Sequence, residues 1–228
     1  LTAADDALAE LRRRILGGTL VAGTKLHQAQ LAASLGMSRI PVRDAIRSLA
    51  SEGLVIQQQR RSAVVAPLSM DDLAELYELR LSVEPHASAL AVPNLGASDL
   101  LAMRGLLAAM EQAEDHPAWL DANDDFHAHL YRRSGRPRMI ALLDQARAQT
   151  RRYTGLRLDR GQPDLDTEHR LILAAAERRD SLAVRALVQA HLYSAYSIVR
   201  DQLHSRDRDD FGNYPAFLEG GASGAGIG

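Results

Sequence analysis

Apolar residues return at helical spacing through most of this chain, and the places where that rhythm stops divide it. Leu8, Leu11 and Ile15 recur every three or four residues and stop at Gly17-Gly18, which predicts a first amphipathic helix. Leu31, Ala32 and Leu35 mark a short second helix ended by Gly36. A turn of three or four residues follows, and then Val42, Ile46 and Leu49 share one face of a third helix. Ser38 stands where its start needs a cap, Pro41 falls in its first turn, and Gly53 is placed to end it. The period then changes. Leu54 to Ile56 and Ala63 to Val65 read as two short strands, with Gln57 to Ser62 as the hairpin between them.

Pro67 and the polar "LSMDD" mark a junction, after which only helices are predicted. Ser69 is placed to cap a helix starting at Met70, with Asp71 and Asp72 favourably set in its first turn. Helices are expected roughly over 70–90, 97–114, 117–134, 137–156, 165–178 and 181–204, the first and last open to breaking in two. The predicted fold is mostly α. An N-terminal winged helix-turn-helix with a two-strand wing (1–67) precedes an all-helical bundle (68–206). A Gly/Ala-rich tail (207–228) is expected to be flexible.

Composition narrows the class. A chain of 228 residues, 46% hydrophobic and 25% charged, has enough material for one large core or two small ones. Only 4% is aromatic, while Ala and Leu dominate, which favours helices. Without cysteine there are neither disulfides nor thiolate metal ligands. No apolar run approaches the ~18 residues of a membrane span, and no signal-peptide pattern is visible after Leu1, so the cytoplasm is the expected compartment. The net charge of −2 hides an asymmetry. Up to Leu68, nine basic residues face five acidic ones, so this segment carries +4 and the remainder −6. A basic piece joined to an acidic one points to a polyanionic partner for the first alone.

Arg39, Arg43 and Arg47 recur every four residues along the flank of the third helix, and Arg60 and Arg61 fall at the hairpin tip. The alternative for each set is a solvated charged surface. Helix-turn-helix spacing and a basic wing together favour a duplex.

The stretch "LRRRILGGTLVAGTKLHQAQLAASLGMSRIPVRDAIRSLASEGLV" resembles the winged helix-turn-helix of GntR-type bacterial transcription regulators, with "SRIPVRDAIRSLASEGLV" as its most specific part. The resemblance implies that Arg39 and Arg43 reach bases or adjacent phosphates, with Ile40 and Pro41 between them at the groove. Arg47 would touch backbone, and Arg60 and Arg61 would serve the wing. Arginine suits this, because its fork pairs with guanine O6 and N7. Three positions depart from the family pattern. Gln28-Ala29 replaces a frequent Glu-Arg, Arg61-Ser62 replaces Arg-Gly, and Ile40 replaces a Thr with an apolar surface suited to a thymine methyl.

The helical part holds a second constellation. Asn123 and His127 lie at i and i+4 on one helical face, His169 sits among Leu171, Ile172 and Ala175, and His191 is on the following helix. A lone helical histidine is usually structural. Three on the inner faces of three helices are better explained as imidazole ligands to a divalent ion inside a bundle. Here "DDFHAHLYRRSGRP", "EHRLILAAAERRD…AHL" and "LYELRLSVEPHAS" resemble the all-helical, FCD-type effector domain of the FadR-like GntR branch. That resemblance maps a metal site onto Asn123, His127, His169 and His191. Asn123 is a departure, offering a neutral carbonyl oxygen where the family usually has a carboxylate; Asp124 lies about 100° further around the helix. Imidazoles with an amide oxygen favour zinc or nickel over magnesium or calcium. Arg80 is implied to pair with an effector carboxylate beside the metal, the alternative being a salt bridge to Glu84 one turn away. Tyr153 reads as core or as pocket wall. His86, His116, His129 and His204 fall outside the pattern.

The expected function is a homodimeric transcription regulator, repressor or activator, that binds a near-palindromic operator and responds to a small organic acid. It is not expected to be an enzyme. A metal-dependent enzyme and a pure metal sensor are the alternatives. Against the enzyme, no Asp or Glu is evident in the sequence as a base beside the histidines.

Overall fold

A computed structural model describes residues 2–57, 63–154 and 163–209. Helix α1 (Ala3–Leu16) turns Ala7, Leu11 and Ile15 inward, onto α3 (Arg39–Ser51) and its buried Val42, Ala45, Ile46 and Leu49. Between them, α2 (Gln28–Leu35) ends at Gly36 in the left-handed region, φ 64° and ψ 28°, which a residue without Cβ adopts freely. Arg12 ties α1 to the end of α3 through Glu52, Nε to Oε2 at 3.0 Å. Ser38 occupies the cap position of α3, but its side chain makes no capping hydrogen bond. Ser38 is exposed, where first-turn N–H groups are open to solvent and do not require the expected hydroxyl.

The wing strands are β1 (Val55–Gln57), one residue later than the pattern predicts, and β2 (Ala63–Val65). They pair antiparallel, Val55 opposite Val65 and Gln57 opposite Ala63. The outer edge of β2 is covered by a segment with no periodic signal. Gly23 N–H donates to Val65 O, Val65 N–H to Thr24 O and Leu26 N–H to Ala63 O, at 2.8–2.9 Å. The expected wing-tip contacts Arg60 and Arg61 lie outside the described residues, as does the tail from 210 onward.

The second core is wholly helical. Ser69 caps α4 (Met70–Ala91) as expected, its hydroxyl accepting from Asp72 N–H at 3.1 Å. A 3-10 turn (Val92–Asn94) leads to α5 (Ala97–Glu111), followed by α6 (His116–Arg132), α7 (Pro137–Thr154), α8 (Pro163–Glu177) and α9 (Ser181–Asp209). Helix α4 continues through Pro85, and α9 runs unbroken to Asp209, into the stretch expected as tail. The two pack along one another, and Leu73, Leu76 and Tyr77 of α4 share a core with Val188, Leu192 and Val199 of α9. Burying one continuous face of each offsets the backbone hydrogen bond that Pro85 removes. Helix α7 meets the N-terminal part: Gln145 Nε2 donates to Ser51 O at 3.3 Å, and Arg152 Nη1 to Ala66 O at 2.9 Å. No helix among the described residues is long and apolar enough to cross a membrane.

Candidate metal centre and nucleic-acid interface

The 100° rotation per residue of α3 separates its two faces. Val42, Ile46 and Leu49 are buried, while Arg39, Ile40, Arg43 and Arg47 are exposed, Ile40 at 63%. Pro41, in the first turn, is partly covered. Asp44 lies between two of the arginines, 3.3 Å from Arg43 Nε and 3.8 Å from Arg47 Nη1. Exposed pairs of this kind are weak, so both guanidiniums remain exchangeable for phosphate or base edges. By contrast, the more covered Arg14 is held by Glu10 within α1 at 2.7 Å.

In the bundle, His127 comes from α6, His169 from α8 and His191 from α9, and all three are buried, at 1%, 0% and 4% exposure. His127 Nε2 lies 3.1 Å from His169 Nε2 and 3.1 Å from His191 Nε2, and Asn123 Oδ1 stands 3.0 Å from His169 Nε2. The opposite nitrogens each face an acceptor. His169 Nδ1 is 2.7 Å from Leu165 O, His191 Nδ1 is 2.8 Å from Glu168 Oε2, and His127 Nδ1 is 3.3 Å from Glu84 Oε1. The last is not aligned well enough to be a hydrogen bond. An Nδ1–H donated outward leaves a lone pair on Nε2 at His169 and His191, so two acceptor nitrogens converge with His127 Nε2 and an amide oxygen. An asparagine turned the other way would satisfy only one of them.

Protonation of His127 or His169 does not relieve this crowding. Burial, then the charge of Arg147, pushes the His127 pKa down to about 3, and burial holds His169 well below its usual range. Three buried imidazoles facing one another within a closed bundle, two of them anchored outward through Nδ1, have the donor set of a divalent-metal site.

Glu84 and Glu168 are the carboxylates that the sequence pattern did not reveal beside the histidines. Both take the far Nδ1 nitrogens, so they orient the rings and are not placed as a base on the open side. Burial alone would raise the Glu84 carboxyl, but Arg80, Arg147 and His127 outweigh it and hold it well below the usual range. Arg80 donates from Nε to Glu84 at 3.0 Å, so the expected alternative pairing is present, and Arg80 also lines a cavity of about 40 Å³ beside the histidines. Asp124 lines it too, held away from the histidine nitrogens by Arg147 at 2.9 Å and Arg151 at 2.7 Å. Tyr77, Trp119, Arg147, Thr150 and Arg151 complete much of the wall. None of these five stands out by spacing, because each lies on a helix whose other inward residues are ordinary core.

Tyr153 is not brought to this cavity. It is buried at the junction of the two parts, where its ring oxygen bonds Asp72 and accepts from Ser69 N–H at 3.2 Å. The reason is position: Tyr153 follows Arg152, which reaches Ala66, and so faces the junction. Of the remaining histidines, His116 lines the cavity mouth and stacks on Trp119, while His86 and His204 are exposed. His129 is half-buried, 3.4 Å from Asp99.

Comparison with known proteins agrees with this architecture. Residues 3–65 match the bacterial regulatory proteins of the gntR family, and residues 75–194 match the FCD domain. The chain is 27% identical over 191 residues to the HTH-type transcriptional regulator YdhC of Bacillus subtilis, covering 80% of this chain and 84% of that protein. It is 31% identical over 139 residues to the HTH-type transcriptional regulator McbR of Escherichia coli, covering 60% of this chain and 63% of that one. The solved structure of E. coli McbR/YncC superimposes with a TM-score of 0.81 at 24% identity, over 89% of this chain and 99% of that one, which speaks for the fold. A recognition helix with an exposed arginine row, a wing and a helical domain built around buried histidines thus identify the chain as a DNA-binding transcription regulator of the GntR family, carrying an FCD domain.

Proposed function

We propose that this regulator binds a near-palindromic operator as a homodimer and is modulated by a small carboxylate beside a divalent metal, zinc or nickel, in its helical domain. In this reading residues 1–67 form the DNA-binding unit, and the helical part from 68 to the end of α9 at Asp209 forms the effector and dimerisation unit. Arg39, Ile40, Pro41 and Arg43 read the groove, Arg47 holds backbone, and Arg60 and Arg61 serve the wing. Two heads are required because one half-site of a few base pairs discriminates poorly.

The observation that carries the metal is the convergence of three buried imidazole nitrogens with an amide oxygen, His169 and His191 being anchored outward through Nδ1. His127, His169 and His191 would hold the ion, with the Asn123 amide oxygen completing the set. Bound there, the ion would act as a Lewis acid that fixes an anionic ligand. Three neutral imidazoles and an amide bring no charge to offset it, so an anion is the natural further ligand. To work as a switch, that ligand must favour one arrangement of the heads by about 1–3 kcal/mol.

The test uses full-length protein stripped by a chelator, then reloaded with zinc or nickel. Light scattering should give a dimer without DNA. Affinity for a duplex selected from a random pool should change when carboxylates are added to the metal-loaded form only. A response to metal without any carboxylate would replace this reading by a pure metal sensor, and failure to bind either ion would remove the metal altogether.

A further inference from the structure

Of the five acidic residues in the DNA-binding part, four have a local task in its fold. Asp5 closes a capping box with Thr2, and Asp6 stands beside it in the first turn of α1. Glu10 pairs with Arg14, and Glu52 ties Arg12 to the end of α3. Asp44 has no such task. It is the sixth residue of α3, past the turn where a carboxylate gains from the helix end, and its side chain is 44% exposed.

Instead, Asp44 stands in the arginine row of the recognition face. One oxygen, Oδ1, lies 3.3 Å from Arg43 Nε and 3.8 Å from Arg47 Nη1. A carboxylate there brings negative charge toward the phosphates, which weakens binding to DNA of every sequence. An exposed pair adds little stability, so what offsets that cost is discrimination between sequences.

The geometry indicates how. Arg43 has two edges that can form a paired contact with guanine: Nε with one terminal nitrogen, or the two terminal nitrogens together. Asp44 occupies Nε and leaves the terminal pair free. With Arg43 pointing into the groove this contact is kept, and displacing water strengthens it. With Arg43 swung onto a phosphate the contact is given up. The carboxylate then lies close to the phosphates with only Arg47 left beside it. Resting on the reading of Arg43 as a base contact, we propose that Asp44 is a positioning residue for operator recognition. It fixes the Arg43 fork with its terminal nitrogens toward guanine and disfavours DNA on which Arg43 finds only phosphate.

The experiment measures the affinity of the full-length protein, by fluorescence anisotropy at one salt concentration, for two duplexes. One is selected from a random pool, and the other is its shuffled counterpart. Asp44→Asn keeps the size of the side chain and removes its charge. The ratio of selected to shuffled affinity should fall about tenfold, with the shuffled duplex bound more tightly than by the unsubstituted protein. In an Arg43→Ala background the same substitution should leave the ratio unchanged, because Asp44 acts through Arg43. Equal tightening on both duplexes would overturn the proposal, the carboxylate then acting only as a charge. So would a fall in the ratio that persists in full without Arg43. If Arg43→Ala alone weakens both duplexes equally, the base contact of Arg43 falls and this proposal with it.

Discussion

The Gln149 side chain occupies the space in which a side chain on Gly53 would begin: an ideal Cβ at Gly53 would stand 2.5 Å from Gln149 Nε2. Gly53 lies just beyond the recognition helix α3, and Gln149 projects from α7, whose Arg147, Thr150 and Arg151 line the cavity. One helix thus touches both the end of the DNA-reading element and the candidate ligand site.

Gly53→Ala should destabilise the protein by about 1–2 kcal/mol, since φ at this position is +75° and the new methyl must displace Gln149. Adding Gln149→Ala should recover the part due to contact but not the part due to backbone strain. Denaturant unfolding of the single and double variants separates the two. An unchanged midpoint for Gly53→Ala would show that α7 does not press on the head.

Glu84→Gln should be far more damaging, by about 3–5 kcal/mol, because it strips a fully buried carboxylate from two buried arginines. Arg80 Nε and Arg147 Nη1 lie 3.0 and 2.9 Å from its oxygens. The exposed pair of Arg104 with Glu177, at a similar 2.7 Å, provides the control. Arg104→Ala should cost less than about 1 kcal/mol in the same unfolding assay. Similar losses for the two would mean that Glu84 is well solvated.

For DNA, Arg43→Ala should lower operator affinity by about 1–3 kcal/mol and relax base preference, whereas Arg61→Ala should weaken all sequences alike. Binding should also fall steeply with salt, as arginine-to-phosphate contacts release counterions. Fluorescence anisotropy with matched operator and random duplexes reads both effects. Equal losses on the two duplexes in Arg43→Ala would take that residue out of base readout.

His127→Ala, His169→Ala and His191→Ala should each lose most of the bound metal, while Asn123→Asp should tighten it by adding a charge at the same position. Chelation should lower the melting temperature, by an amount set by free-metal concentration. Metal content by mass spectrometry and competition with a chromophoric chelator give the numbers. Histidine variants that keep full metal content would move the site elsewhere.

The sequence by itself determined the local elements. Apolar spacing carried α3 and its exposed arginines, Ser69 carried the start of α4, and Gly36 the end of α2, because helix faces and caps depend on residues within four of one another. It also determined which faces of α6, α8 and α9 carry histidines. Only the tertiary structure decided what those faces meet. His127 approaches partners 42 and 64 positions away, and which ring nitrogen turns inward depends on Glu84 of α4 and on Leu165 and Glu168 of α8. No period records that choice. Likewise, the segment from Gly23 to Leu26 is too short to show alternation, yet it completes the wing sheet, because the backbone groups of β2 need partners whatever the side chains are. Tyr153 and Tyr77 are both buried tyrosines at helical spacing. Packing alone, set by how α7 and α4 lie against their neighbours, placed the first at the junction and the second at the cavity wall.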